Sequence, residues 1–98
     1  MARPESAVLE VAGAGQAGAA VHVFRLRDKT VQVSGPFVGS LQLEGSIDGD
    51  NFTAIGAPIT APAFVFIPMT VELLRVRTNE LTSAPPAAVV AGFDFRAM

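Results

Sequence analysis

The 98-residue chain has no cysteine, tryptophan or tyrosine, only one histidine, and little charge for its size. Without cysteine it can form neither a disulfide nor a thiolate metal site, so its core must hold without covalent staples. His22 alone cannot build a His-paired metal centre. The missing tryptophan and tyrosine remove the flat amphipathic rings that commonly seat sugars. With 16% charged residues and a net charge of −2, there is no basic stripe of the kind nucleic acid requires. No apolar run approaches the roughly 18 to 20 residues of a membrane span. The opening Met1-Ala-Arg-Pro-Glu-Ser6 lacks a secretory pattern, because Glu10 interrupts the apolar stretch that follows. The expectation is a soluble protein, made in the cytoplasm, with neither nucleic acid nor membrane as partner.

Half of the residues are apolar, which is the composition of a folding chain and not of a disordered one. The length suits one domain over residues 1–98. An apolar excess on so small a body leaves apolar surface outside, and such surface marks partner contacts. A homo-oligomer, or a subunit docked on something larger, is therefore expected.

Glycine and proline recur at short intervals, and no window sustains a helical apolar face. Alternation between turn residues instead marks about eight short strands, at 7–11, 20–26, 30–34, 39–47, 52–55, 64–67, 71–78 and 88–95. The clearest alternation puts Leu41, Leu43 and Ile47 on one face. Leu74 and Val76 point inward on the seventh strand, and Val89, Ala91, Phe93 and Phe95 do so on the last. Arg27-Asp28-Lys29, Gly35-Pro36 and Asp48-Gly49-Asp50-Asn51 read as turns, and Gly56-Ala57-Pro58 with the Pro/Ala stretch after it separates the fifth strand from the sixth. The segment from Thr30 to Ile55 reads as a hairpin. The class is all-β, a small antiparallel β-sandwich or jelly roll. The Gly/Ala segment 13–20 and the segment 82–88 are the expected mobile loops.

Gly13-Ala-Gly15-Gln-Ala-Gly18 fits a dinucleotide fingerprint in letters only, since β-prone Val21-His22-Val23-Phe24 follows where a helix must start. Asp48, Asp50 and Asn51 lack the spread of ligands and the closing glutamate of a calcium loop. No G-x-S-x-G elbow presents a serine to His22, and the carboxylates fall at turns and outward positions. Catalytic, metal and cofactor residues are therefore expected to be none. The candidate interface residues are Arg3 and Pro4 near the start, and Arg25, Arg27, Arg75 and Arg77 as two outward i, i+2 pairs suited to an acidic partner.

The run Lys29-Thr-Val-Gln-Val-Ser-Gly35, the run Phe37-Val-Gly-Ser-Leu-Gln-Leu-Glu-Gly-Ser-Ile-Asp-Gly-Asp-Asn-Phe-Thr-Ala-Ile55 and the strand Leu74-Arg-Val-Arg-Thr78 together resemble small β-sandwich virion proteins of tailed bacteriophages. The resemblance covers about half the chain, in order. It implies a non-enzymatic virion component: a capsid decoration or cement protein on the head surface that binds the major capsid protein or another virion protein and stabilises the head. It favours a trimer, with residues 1–6 as an extended arm. Phe52 stands where these hairpins often carry tryptophan, with a core role expected to be kept. Similar Gly-Ser-x-Asp-Gly hairpins occur in discoidin-like carbohydrate-binding modules. A module of that type, or a tail or connector component, is the alternative.

Overall fold

A computed structural model describes residues 3–94. Eight strands follow one another: β1 (Arg3–Leu9), β2 (Val21–His22), β3 (Leu26–Ser34), β4 (Gly39–Ser46), β5 (Thr53–Ile59), β6 (Ala63–Ile67), β7 (Leu73–Leu81) and β8 (Ala87–Asp94). They form two four-stranded antiparallel sheets, ordered β1-β8-β3-β6 and β2-β7-β4-β5. The pairs β4–β5, β3–β6, β2–β7 and β1–β8 nest one outside the next, as they do when one long hairpin rolls up. That nesting is the jelly-roll form of the sandwich.

The core lies between the sheets, and its fully buried hydrophobic residues are all aliphatic. Leu41 and Leu43 of β4 sit beside Leu74 and Val76 of β7, and join Val31 and Val33 of β3 and Val90 of β8 in one buried cluster. These residues alternate with polar ones along β4 and β7, so the period of two settles which face turns in. Thr78 continues the buried row of β7, and its hydroxyl is satisfied by donating to Ala12 O at 2.9 Å. Such pairing is what a buried hydroxyl requires.

Several local expectations are corrected. Thr30–Ser34 and β4 do not form one hairpin: β3 and β4 lie in opposite sheets, and Gly35 (φ +92°) starts the crossing between them. The hairpin proper is β4–β5. Arg27-Asp28-Lys29 is no turn but a bulge inside β3, with Asp28 at φ +52° and the pairing to β8 broken between Arg27 and Thr30. Gly56-Ala57-Pro58 also stays within a strand. Leu43 pairs with Ile55 and Leu41 with Ile59, so these three residues loop out opposite Gln42. The Gln42 amide fills the loop by donating to Leu43 O, Ile55 O and Gly56 O at 3.1, 3.1 and 3.2 Å.

Two inward assignments fail. Ile47 is 73% exposed, because β4 ends at Ser46, where the turn takes over the buried position. On β8 the buried residues are Ala88, Val90, Gly92 and Asp94, while Val89, Ala91 and Phe93 face out. Gly92 shows why: a Cβ there would meet Arg27 O at 2.8 Å, so the inner face is where the β3 bulge presses in. Residues 3–6, expected as an arm, are paired in β1 with Asp94–Ala91 of β8. Met1, Ala2 and Phe95 lie outside the described residues. The Gly/Ala segment is tied down along β7: Gly15 N donates to Thr78 O, Thr78 N to Gln16 O, and Gly18 N to Val76 O, at 2.7 to 2.8 Å.

Candidate functional site

The two outward sheet faces are built from different chemistry. On the β2-β7-β4-β5 sheet, Glu44 lies opposite Arg75 in register and next to the Gln42–Arg77 pair. Its carboxylate therefore accepts from both guanidinia, from Arg75 Nε at 2.8 Å and Arg77 Nε at 3.3 Å. The Arg75 guanidinium also lies 3.8 Å from the centre of the Phe52 ring, a cation–π contact. Phe52 is thus half-buried beneath an arginine on the outer face and does not belong to the core. Arg75 and Arg77 share a face as expected, but their charge is answered within the chain.

The β1-β8-β3-β6 sheet presents the opposite case. Its outward rows run Val8, Val89, Gln32, Phe64 and then Ser6, Ala91, Thr30, Phe66, with Phe93 beside Arg27 at one end. Val8 is 75%, Phe64 72%, Phe66 56% and Phe93 43% exposed. Among the described residues of these rows, Arg27 is the one charged side chain. An apolar sheet face of this extent is unusual on a lone soluble domain, where large exposed apolar patches mark contact surfaces. It is the candidate site, and it includes Val89, Ala91 and Phe93, which strand alternation alone turns inward.

The other candidate residues are scattered. Arg3 and Pro4 stand in β1 opposite Asp94 and Phe93. Arg25 is not an outward partner of Arg27. It sits in the bend before β3 and bridges Glu5 at 3.1 Å and Asp94 at 3.3 Å, tying that bend to the ends of β1 and β8. The four arginines therefore do not make one basic surface.

Polar groups elsewhere serve the fold. The Asp48 carboxylate accepts from the Ser46 hydroxyl, from Asp50 N and Asn51 N, and from the Asn51 side-chain amide, at 2.7 to 2.9 Å. These donors, chiefly Asn51 N, hold its pKa far below the ordinary carboxylate value. The turn expected at Asp48-Gly49-Asp50-Asn51 is therefore locked by one side chain. Lys29, buried beneath the bulge of β3, donates to Met69 O at 3.1 Å and Leu26 O at 3.4 Å. Burial pushes its pKa down, and the neighbouring Asp28 carboxylate opposes that shift. His22 is exposed on β2, with its ring edge-on to that of Phe24 at 6.5 Å between ring centres.

A cleft of about 380 Å³ lies beside this turn, between Ile47, Ile55, Met69 and Val71. Its lining is largely aliphatic, and the carboxylate on its rim is the one already engaged. No group of three or more metal-ligating side chains occurs among the described residues.

No family model, curated protein or solved structure matches the chain.

Proposed function

We propose that the chain is a non-enzymatic structural subunit that seats on a larger protein assembly through the outer face of the β1-β8-β3-β6 sheet. The observation that carries this reading is that face itself: three phenylalanines and two valines facing outward in a chain short of charge. Leaving such a surface in water forgoes about 25 cal/mol for each Å² that a partner could cover.

The finer reading is a decoration protein on the head of a tailed bacteriophage, bound to the capsid lattice. It is supported by the resemblance carried by residues 29–35, 37–55 and 74–78, and by the jelly-roll order, which recurs in capsid proteins and also in lectins. Fold alone does not select a function, so the resemblance supplies the partner and the face supplies the means. A glycan-binding use of the β4–β5 hairpin has less support, because the Asp48 carboxylate that a sugar would need already serves four donors of its own turn.

The test is to add purified chain to heads assembled without it and to sediment the mixture. The reading expects saturable binding at a fixed ratio to capsid protein and heads that resist heat better. No co-sedimentation, together with absence of the chain from purified particles, would overturn it.

A further inference from the structure

We infer that β6 pairs edge to edge with β6 of a second copy of this chain, giving a two-fold dimer whose two β1-β8-β3-β6 sheets join into one. This goes beyond the proposed function and holds whether or not the partner is a capsid.

A sheet edge with free backbone groups invites another strand, and proteins ordinarily blunt such edges with charge, proline, bulges or brevity. Three of the four edges here are blunted. β1 includes Arg3, Pro4 and Glu5, β2 is two residues long, and β5 is broken by the Gly56-Ala57-Pro58 bulge. β6 differs. It reads Ala63-Phe-Val-Phe-Ile67, has no charged residue, pairs with β3 in unbroken register, and among the described residues has no strand on its other side. Pro62 and Pro68 lie just outside it and confine any added pairing to these five residues.

The strand also fits itself. Phe64-Val65-Phe66 is symmetric about Val65, so antiparallel pairing centred there sets Phe64 of each copy opposite Phe66 of the other, on the outward face. Val65 meets its own counterpart on the inward face. Aromatic cross-strand pairs are among the favourable ones, and a contact in which each residue answers its partner's equivalent is what two-fold symmetry requires. No other partner strand is specified by anything in the chain, whereas a second copy matches residue for residue.

The area sets the strength. Five residues share an edge about 17 Å long, well short of a standard interface of about 1,600 Å². Phe64 and Phe66, carrying roughly 200 Å² each and 72% and 56% exposed in the monomer, add to that edge without bringing it to standard size. The result is a weak dimer, with a Kd in the micromolar range.

Sedimentation equilibrium from about 1 to 200 µM, spanning that range, reads the association directly. Wild type is expected to pass from monomer to dimer. F64K/F66K, which sets lysine against lysine, is expected to weaken the dimer at least about tenfold. F64E/F66K, which sets carboxylate against ammonium twice, restores it and makes it salt-sensitive. V8K, three strands away on the same face, leaves the constant unchanged. A wild type that stays monomeric or forms trimers, a V8K variant that loses the dimer, or a charge-swapped variant that does not associate would each overturn the inference.

Discussion

The two outward faces belong to one sandwich and each sets a phenylalanine beside an arginine, Phe52 with Arg75 and Phe93 with Arg27, yet they expose very different chemistry. On the β2-β7-β4-β5 sheet, Phe52 lies under Arg75, and Arg75 and Arg77 both close on Glu44. On the β1-β8-β3-β6 sheet, Phe64, Phe66 and Phe93 stand out among Thr30, Gln32, Val89 and Ala91. The low charge of the chain is thus unevenly distributed: Glu44, Arg75 and Arg77 dress one face, while Arg27 is the one charged side chain in the described rows of the other. Apolar surface is not diagnostic when scattered, but here it is collected on one side of one sheet.

The comparison can be broken first at the layer both faces depend on. Leu43→Ala, in the shared core, is expected to cost about 3 kcal/mol, read as a shift in the urea midpoint. A smaller loss would mean that the sheets are less closely packed than described. Next comes the ion-paired face. Glu44→Ala leaves two guanidinia without their acceptor on a partly exposed surface and should cost about 1 kcal/mol. A double-mutant cycle with Arg75→Ala should show coupling that shrinks as salt is raised.

The turn beside that sheet gives a pH-dependent effect. Asp48 has a folded pKa below the ordinary value of 3.8, so the folded state binds fewer protons than the unfolded one as pH falls past that value. The stability it contributes is fully present above about pH 4, the ordinary carboxylate range, and is lost on going lower. Asp48→Ala should therefore melt earlier than wild type at pH 7, and the gap should close as pH drops below 4. A gap independent of pH would assign the effect to something other than the carboxylate. The smallest change in stability belongs to the open face: Val8→Lys should alter it by no more than about 0.5 kcal/mol, because Val8 is mostly in water. A large loss there would mean that the face is covered by this chain itself.

How much of this was legible in the sequence differs from strand to strand. β4 and β7 were readable because apolar and polar residues alternate, so Leu41, Leu43, Leu74 and Val76 could be turned inward without knowing their neighbours. β8 was not. Both of its faces are apolar, and a period of two then gives the alternation without saying which half is buried. The larger side chains Val89 and Phe93 suggested the inner face, and Gly92 with Ala88 marked it instead, because the bulge of β3 needs room there. That inversion hid the candidate site, since the residues assigned to the core are the ones that face out. The signal that could have found it is β6, where Phe64 and Phe66 alternate with Val65 and Ile67 and only one pair can be inside.

Spacing of i, i+2 puts two arginines on one face along a regular strand. It held for Arg75 and Arg77. It failed for Arg25 and Arg27, because the backbone between Val23 and Thr30 is a bend followed by a bulge, and i, i+2 neighbours there do not share a face. Charge partners such as Glu44 and Glu5 come from strands distant in sequence, and the nesting that brings them together is a property of the rolled hairpin as a whole.

The most direct test of the account compares the two faces in one binding measurement. Wild type, V8K and R75A/R77A would each be titrated onto heads assembled without the chain, and the bound fraction read by sedimentation. The account predicts that V8K, folded and as stable as wild type, loses most of its binding while R75A/R77A keeps it. Retained binding by V8K with loss in R75A/R77A would place the contact on the ion-paired face and contradict the central claim.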